Sequence, residues 1–164
     1  MWSALNEANF HSSVHEFYID LTGFGTAAIT CEPRVGSQKY NGLQFVTHPI
    51  EGYVFEEDDW GRTNACCHIY SWTTRQIRKR FPEWELPDKI ARAFEKNPNE
   101  RFPLLHWILP RNDRDPEKLD KKNMEFASCW IDVTSKDFIE EGGYREMPSM
   151  VTRWSRNSGE IYGR

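Results

Sequence analysis

Three β-prone runs, Leu43-Gln-Phe-Val-Thr-His48, Tyr53-Val-Phe-Glu56 and Asn64-Ala-Cys-Cys-His-Ile-Tyr-Ser-Trp72, follow one another with only Pro49-Ile-Glu-Gly52 and the acidic Asp58-Asp-Trp-Gly61 as breaks. Clusters of Pro, Gly and Asp are turn punctuation, and β-branched and aromatic residues favour extended backbone. Such close spacing leaves no room for crossover helices, so neighbouring runs are expected to pair antiparallel. The stretch reads as a meander around which the rest of the chain is arranged.

Upstream, Phe10, Val14, Phe17, Tyr18 and Leu21 recur at helical spacing and predict one amphipathic helix, with Ser3 or Asn6 as N-cap and Gly23 as its left-handed stop. Thr26 to Glu32 predicts a short strand closed by Pro33. Downstream, Thr73 and Gln76 have capping-box spacing, and Pro82 ends the helix they begin at Phe81. A second short helix is predicted from Pro87 to Lys96, with Ile90, Ala91 and Phe94 on its buried face. Phe102 to Leu109 is apolar on both faces apart from His106, the pattern of a central strand. Asn112 to Asn123 is a charged loop, Glu125 to Val133 a strand, and Gly142-Gly143 a turn. The expected class is therefore α+β: an N-terminal helix and a mainly antiparallel β-meander with two short helices inserted between strands. Residues 1–164 are expected to form a single domain.

Composition narrows the function. The 164 residues are 38% apolar and include seven Trp, six Tyr and ten Phe, enough bulk for a core without disulfides or metal. A formal charge of −4 lacks the excess of Lys and Arg that a general nucleic-acid binder carries, so only local or transient contact with DNA is expected. Cys31, Cys66, Cys67 and Cys129 have no disulfide-framework spacing and suit a reducing cytoplasm. No apolar run approaches the roughly eighteen residues of a membrane span, and the N-terminus lacks a basic-then-apolar leader. The expected place is a cytosol, or a particle assembled there, with no membrane contact.

Several residue groups invite a chemical reading. His11 and His15 are four apart, but the zinc-protease pattern needs a Glu directly after the first His, and no third ligand is evident. Cys66 and His68 share a strand face, yet an activated thiol commonly sits at a helix N-terminus, so buried small side chains are the better expectation. Glu56 to Asp59 lacks the alternate spacing of a calcium loop and reads as a solvated turn. Arg75, Arg78, Lys79 and Arg80 form the wet face of a helix that buries Ile77 and Phe81. With no Gly-rich phosphate loop and no serine elbow, no catalytic residue, cofactor or metal is expected. A small cytosolic hydrolase and a nucleic-acid-binding module remain the alternatives.

The end of the chain, Glu146-Met-Pro-Ser-Met-Val-Thr-Arg-Trp-Ser-Arg-Asn-Ser-Gly-Glu-Ile-Tyr-Gly-Arg164, is more specific. Met150 to Trp154 is β-prone, and Gly159 closes an Asn-Ser-Gly turn. Trp154 is expected to bury a large surface and Arg153 to pair with a carboxylate such as that of Glu160. Pro148, Arg153, Trp154, Gly159, Glu160, Tyr162, Gly163 and Arg164 together resemble the signature of the head-to-tail connecting, or portal, proteins of short-tailed bacteriophages. Weaker echoes lie at Asn9-Phe10-His11, at Gly25-Thr26-Ala27, and at Thr74-Arg75-Gln76 followed by Phe81-Pro82.

The resemblance implies a structural, non-enzymatic role for a wing-type domain, a piece of a larger chain whose stem follows Arg164. It also implies a ring of portal subunits at one capsid vertex, through which double-stranded DNA passes transiently. Capsid, terminase and tail proteins would be the other partners. The place implied is the virion, assembled in the bacterial host cytoplasm, and the isolated piece would be a monomer or weak oligomer.

Overall fold

The computed structural model describes residues 2–34, 42–118, 120–155 and 159–163. The chain divides into two compact units, Met1–Thr63 with Met147–Arg164, and Asn64–Glu146. Both are built from antiparallel strands and short helices, the α+β class expected from the sequence.

The first unit opens with two helices instead of one, α1 (Trp2–Glu7) and α2 (Phe10–Phe24). Between them Asn9 turns its side chain away from the helix end and makes no cap bond there. Phe10, Val14, Phe17 and Leu21 already supply a complete stripe, so Tyr18, about 100° round the helix from Phe17, is left exposed. The helix runs through Gly23 and stops at Gly25, whose φ of 70° is the left-handed value and whose N–H donates to Leu21 O.

Strand β1 (Thr26–Pro33) lies between β2 (Leu43–His48) and β8 (Ser149–Arg153), both antiparallel to it. The expected meander therefore shifts: β2 pairs backward with β1, because Ala27 and Ile29 join Phe17 and Leu21 in a core that Phe45 completes. β3 (Tyr53–Glu57) also belongs to this unit.

The outer edge of β2 is closed by side chains. Asn9 Nδ2 donates to Phe45 O at 2.6 Å while Phe45 N–H donates to Asn9 Oδ1 at 2.8 Å, the two bonds a neighbouring strand would make. Ser13 Oγ also donates to Phe45 O, Thr47 Oγ1 donates to Ser13 O, and Arg34 Nε donates to Leu43 O. An open strand edge is a template for unwanted pairing, and these contacts remove it. Asn9→Ala should lower stability by about 1–2 kcal/mol, two modest hydrogen bonds, read as a shifted urea midpoint.

The second unit contains a true meander, in which β4 (Thr63–Thr73), β5 (Arg101–Pro110), β6 (Phe126–Asp132) and β7 (Phe138–Tyr144) are neighbours in chain order. Helices α3 (Thr74–Arg80) and α4 (Asp88–Lys96) are inserted between β4 and β5. The capping box at Thr73 and Gln76 is formed as expected, and Phe81 is the C-cap. On α4 the buried residues are Ile90 and Ala93, while Phe94 is exposed, since a short helix against a short helix needs only a narrow stripe. Gly142 and Gly143 lie inside β7 and form no turn. A Cβ on Gly143 would fall 2.4 Å from Lys121 O and 2.9 Å from Phe126 O, so the residue permits close approach of backbone to strand.

The core here is aromatic. Ile77, Phe81, Ile90, Phe102, Leu104 and Trp130 pack together, with Tyr70 and Trp72 against them. His106 stacks on Trp130 at 4.1 Å and lies 2.8 Å from Ser128 Oγ. Arg80 reaches over Phe81 and Trp130 and ends 3.5 Å from Glu140.

His68, opposite His106, is buried, and burial pushes its imidazole down to about 4 from an ordinary 6.5. On acidification the unfolded chain binds this proton first, so the stability held by neutral His68 is full above 6.5 and lost as pH falls toward 4. The loss should be at most about 3 kcal/mol, and His68→Gln should remove that part of the slope between denaturation curves at neutral and acid pH.

Candidate functional site

Three of the residues that carry the resemblance, Arg153, Tyr162 and Gly163, meet at one place in the first unit. Arg153, the last residue of β8, sits opposite Thr26 of β1, and its guanidinium meets the carboxylate of Glu57 at the end of β3. The same guanidinium donates through Nη1 to Ile161 O at 2.6 Å and lies 5.6 Å from the centre of the Phe55 ring. Both charged side chains are largely enclosed, 11% and 19% exposed, so their attraction is poorly screened.

Tyr162 donates its hydroxyl to Tyr53 O at 3.2 Å and sets its ring edge-on to Phe55, centroids 5.4 Å apart. Gly163 donates its N–H to Thr26 Oγ1 at 2.7 Å. A Cβ there would fall 2.2 Å from Gly25 O and 2.8 Å from Ser155 O, so only glycine fits. Pro148 O accepts from Cys31 N–H, and Trp154 N–H donates to Gly25 O at 2.9 Å. The Trp154 ring, expected to be buried, is 68% exposed. Strand alternation sends Arg153 to the inner face and Trp154 outward, and it is Trp154's backbone that holds the structure together.

Behind this closure Tyr53 stacks on His48 at 5.3 Å and shares a hydrogen bond with Ser149 Oγ, while His48 Nε2 lies 2.7 Å from Thr30 Oγ1. The constellation is a clasp of one enclosed ion pair, aromatic contacts and backbone hydrogen bonds.

The family model described as "Bacteriophage head to tail connecting protein" matches residues 1–164. The chain belongs to that family. Within the bacteriophage head to tail connecting proteins it is 27% identical over 162 residues to the "Probable portal protein" of Bordetella phage BPP-1, covering 96% of this chain and 28% of that protein. It is 26% identical over 165 residues to the "Portal protein" of Salmonella phage epsilon15, covering 99% of this chain and 29% of that protein. The chain thus spans under a third of the length of the curated relatives it matches.

In this head to tail connecting protein, Arg153, Tyr162 and Gly163 are brought together with the backbone of Trp154, while Pro148 bonds to Cys31 at the other end of β8. Gly159 has the left-handed φ of 91° expected of a turn glycine, and Glu160 is half-buried. Asn157, Ser158 and Arg164 lie outside the described residues. Of the partners of this end segment, Tyr53, Phe55 and Glu57 carry no mark of that role in the sequence, whereas Thr26 lies in the Gly25-Thr26-Ala27 echo. Glu57 was hidden in an acidic run taken as solvated, although alternation from Tyr53 through Phe55 places it on the buried face. Its neighbour Asp58 caps the following turn, accepting from Trp60 N–H and Arg62 N–H.

Elsewhere His11 and His15 are exposed on α2, and among the described residues no three His, Cys, Asp or Glu are grouped to hold a metal ion. Cys66 and His68 are both buried on one face of β4. Burial pushes the thiols of Cys31, Cys67 and Cys129 up, the opposite of an activated nucleophile. Among the described residues no helix is long and apolar enough to cross a membrane.

Removing one member of an enclosed ion pair strands the other. Glu57→Ala and Arg153→Ala should each destabilise by about 3–5 kcal/mol, and the double variant by clearly less than their sum. Chemical denaturation of all four proteins measures the coupling, and strict additivity would mean that the two charges act separately.

Proposed function

We propose that residues 1–164 act as a single wing-type domain of a phage portal, or head-to-tail connector, subunit. The observation that carries this reading is the clasp, because the residues that match the family signature are the ones that hold the end of the chain against β1 and β3. A role in positioning the following chain explains why so many signature residues spend their chemistry on closure. In this reading the longer protein continues past Arg164 into a stem and forms a ring at one capsid vertex. DNA passes through that ring during packaging and ejection, a terminase motor docks on it, and the tail attaches to it.

The domain is a structural body and not an enzyme, since hydrolysis of ATP belongs to the motor. Its formal charge of −4 suits a peripheral position, with double-stranded DNA met only transiently in the channel. The place of action is the virion, after assembly in the bacterial cytoplasm. Ring subunits meet through heterologous contacts that close only when the rotation between neighbours is fixed, and the stem would do much of that fixing. Native mass measurement should therefore find residues 1–164 monomeric or weakly associated and the chain extended through its stem in closed rings. An extended chain that stays monomeric, or a stable ring from residues 1–164 alone, would overturn this division of labour.

A further inference from the structure

The sheet of the second unit has two apolar faces. One carries Phe102, Leu104 and Trp130 and is covered by α3 and α4. On the other, register sets Cys67, Trp107 and Cys129 in one row across β4, β5 and β6, and Ile69, Leu105, Ile131 and Phe138 in the next. Ile69, Trp107 and Phe138 are 51%, 45% and 67% exposed. A one-sided antiparallel sheet ordinarily alternates apolar with polar, and here both sets are apolar. Charge lies at the borders, where Glu141, opposite Cys129, is tied to Arg111 at 2.8 Å and Arg101 stands opposite Thr73.

We propose that this face is the seat of an amphipathic helix from the same polypeptide, contributed from outside residues 1–164. This inference rests on the reading of the chain as part of a longer portal subunit. Two observations choose the occupant. Strand spacing and rise give the patch a footprint of about 300 Å². That is well short of the roughly 800 Å² per partner of a stable protein–protein interface, but it matches one helix of a few turns. The curated relatives are more than three times as long as this chain, which covers 28% and 29% of them, so the polypeptide has ample length to supply that helix. A helix also satisfies its own backbone, as an irregular segment laid on an apolar sheet would not. The occupant's contact stripe should be uncharged, since no charge inside the patch could pair with it.

Cys67 and Cys129 are built-in reporters, flanking Trp107 in register on this face. In residues 1–164 both half-buried thiols should react with a small water-soluble maleimide at measurable rates. In the polypeptide extended to the relatives' length the same two thiols should label at least tenfold more slowly, and Trp107→Lys in that protein should restore much of the rate. Equal labelling in the two proteins would overturn the inference. So would sedimentation showing that residues 1–164 dimerise and that Trp107→Lys abolishes the dimer, since a second copy would then be the occupant. Thiol protection is scored whether or not rings assemble, so loss of the ring would count against the portal reading while protection still judged the helix.

Discussion

The first unit depends on the enclosed charge pair of Arg153 and Glu57. Arg153 and Glu57 come from the two separate segments of that unit, on either side of the stretch Asn64–Glu146, and each would be costly to bury alone. Their meeting fixes β8 relative to β3 more sharply than apolar contact could, because a guanidinium imposes direction as well as distance. Once Arg153 is placed, Ile161 O is held by the same group, Tyr162 falls against Phe55, and Gly163 comes within reach of Thr26. The apolar core of Phe17, Leu21, Ala27 and Ile29 supplies the cohesion, and the clasp holds Ile161 to Gly163 against β1 and β3.

The second unit solves its burial problem differently. It has few enclosed charges and many rings: Tyr70, Trp72, Phe81 and Trp130 lie with centroids 5.0 to 6.3 Å apart, and His106 stacks on the last of them. Aromatic side chains bury much area at a small cost in rotamer freedom, which suits a sheet covered by only two short helices. Arg80 then seals the rim, laying its guanidinium over two rings while keeping Glu140 in reach.

What the sequence made legible was local. The capping box at Thr73, the stops at Pro82 and Asn97, the strand from Phe102 and the strand before Arg153 all follow from spacing within a few residues. What it hid was long-range. Nothing near Leu43 announces that its strand pairs backward with Thr26–Pro33, and nothing near Gly143 announces that Lys121 O will sit against it. β7 was missed altogether because its glycines read as punctuation. In the clasp, the end motif and the Gly25-Thr26-Ala27 echo are visible in the sequence, while Phe55 and Glu57 look ordinary until the fold places them beside Arg153.

The pairing of β8 with β1 bears on the order in which the protein forms. The second unit is one uninterrupted stretch, Asn64–Glu146, set into the sequence of the first. A ribosome delivers β1 and β2 early but β8 only after the second unit, so the sheet of the first unit must wait for that whole unit to be made. Closing so large a loop is entropically slow, and a second unit already folded shortens it by drawing its own ends together. During that wait β1 has an unpaired edge on the β8 side, while Asn9 and Ser13 are in position to occupy the outer edge of β2. The early helices thus act as a guard for a growing sheet whose third strand has yet to arrive.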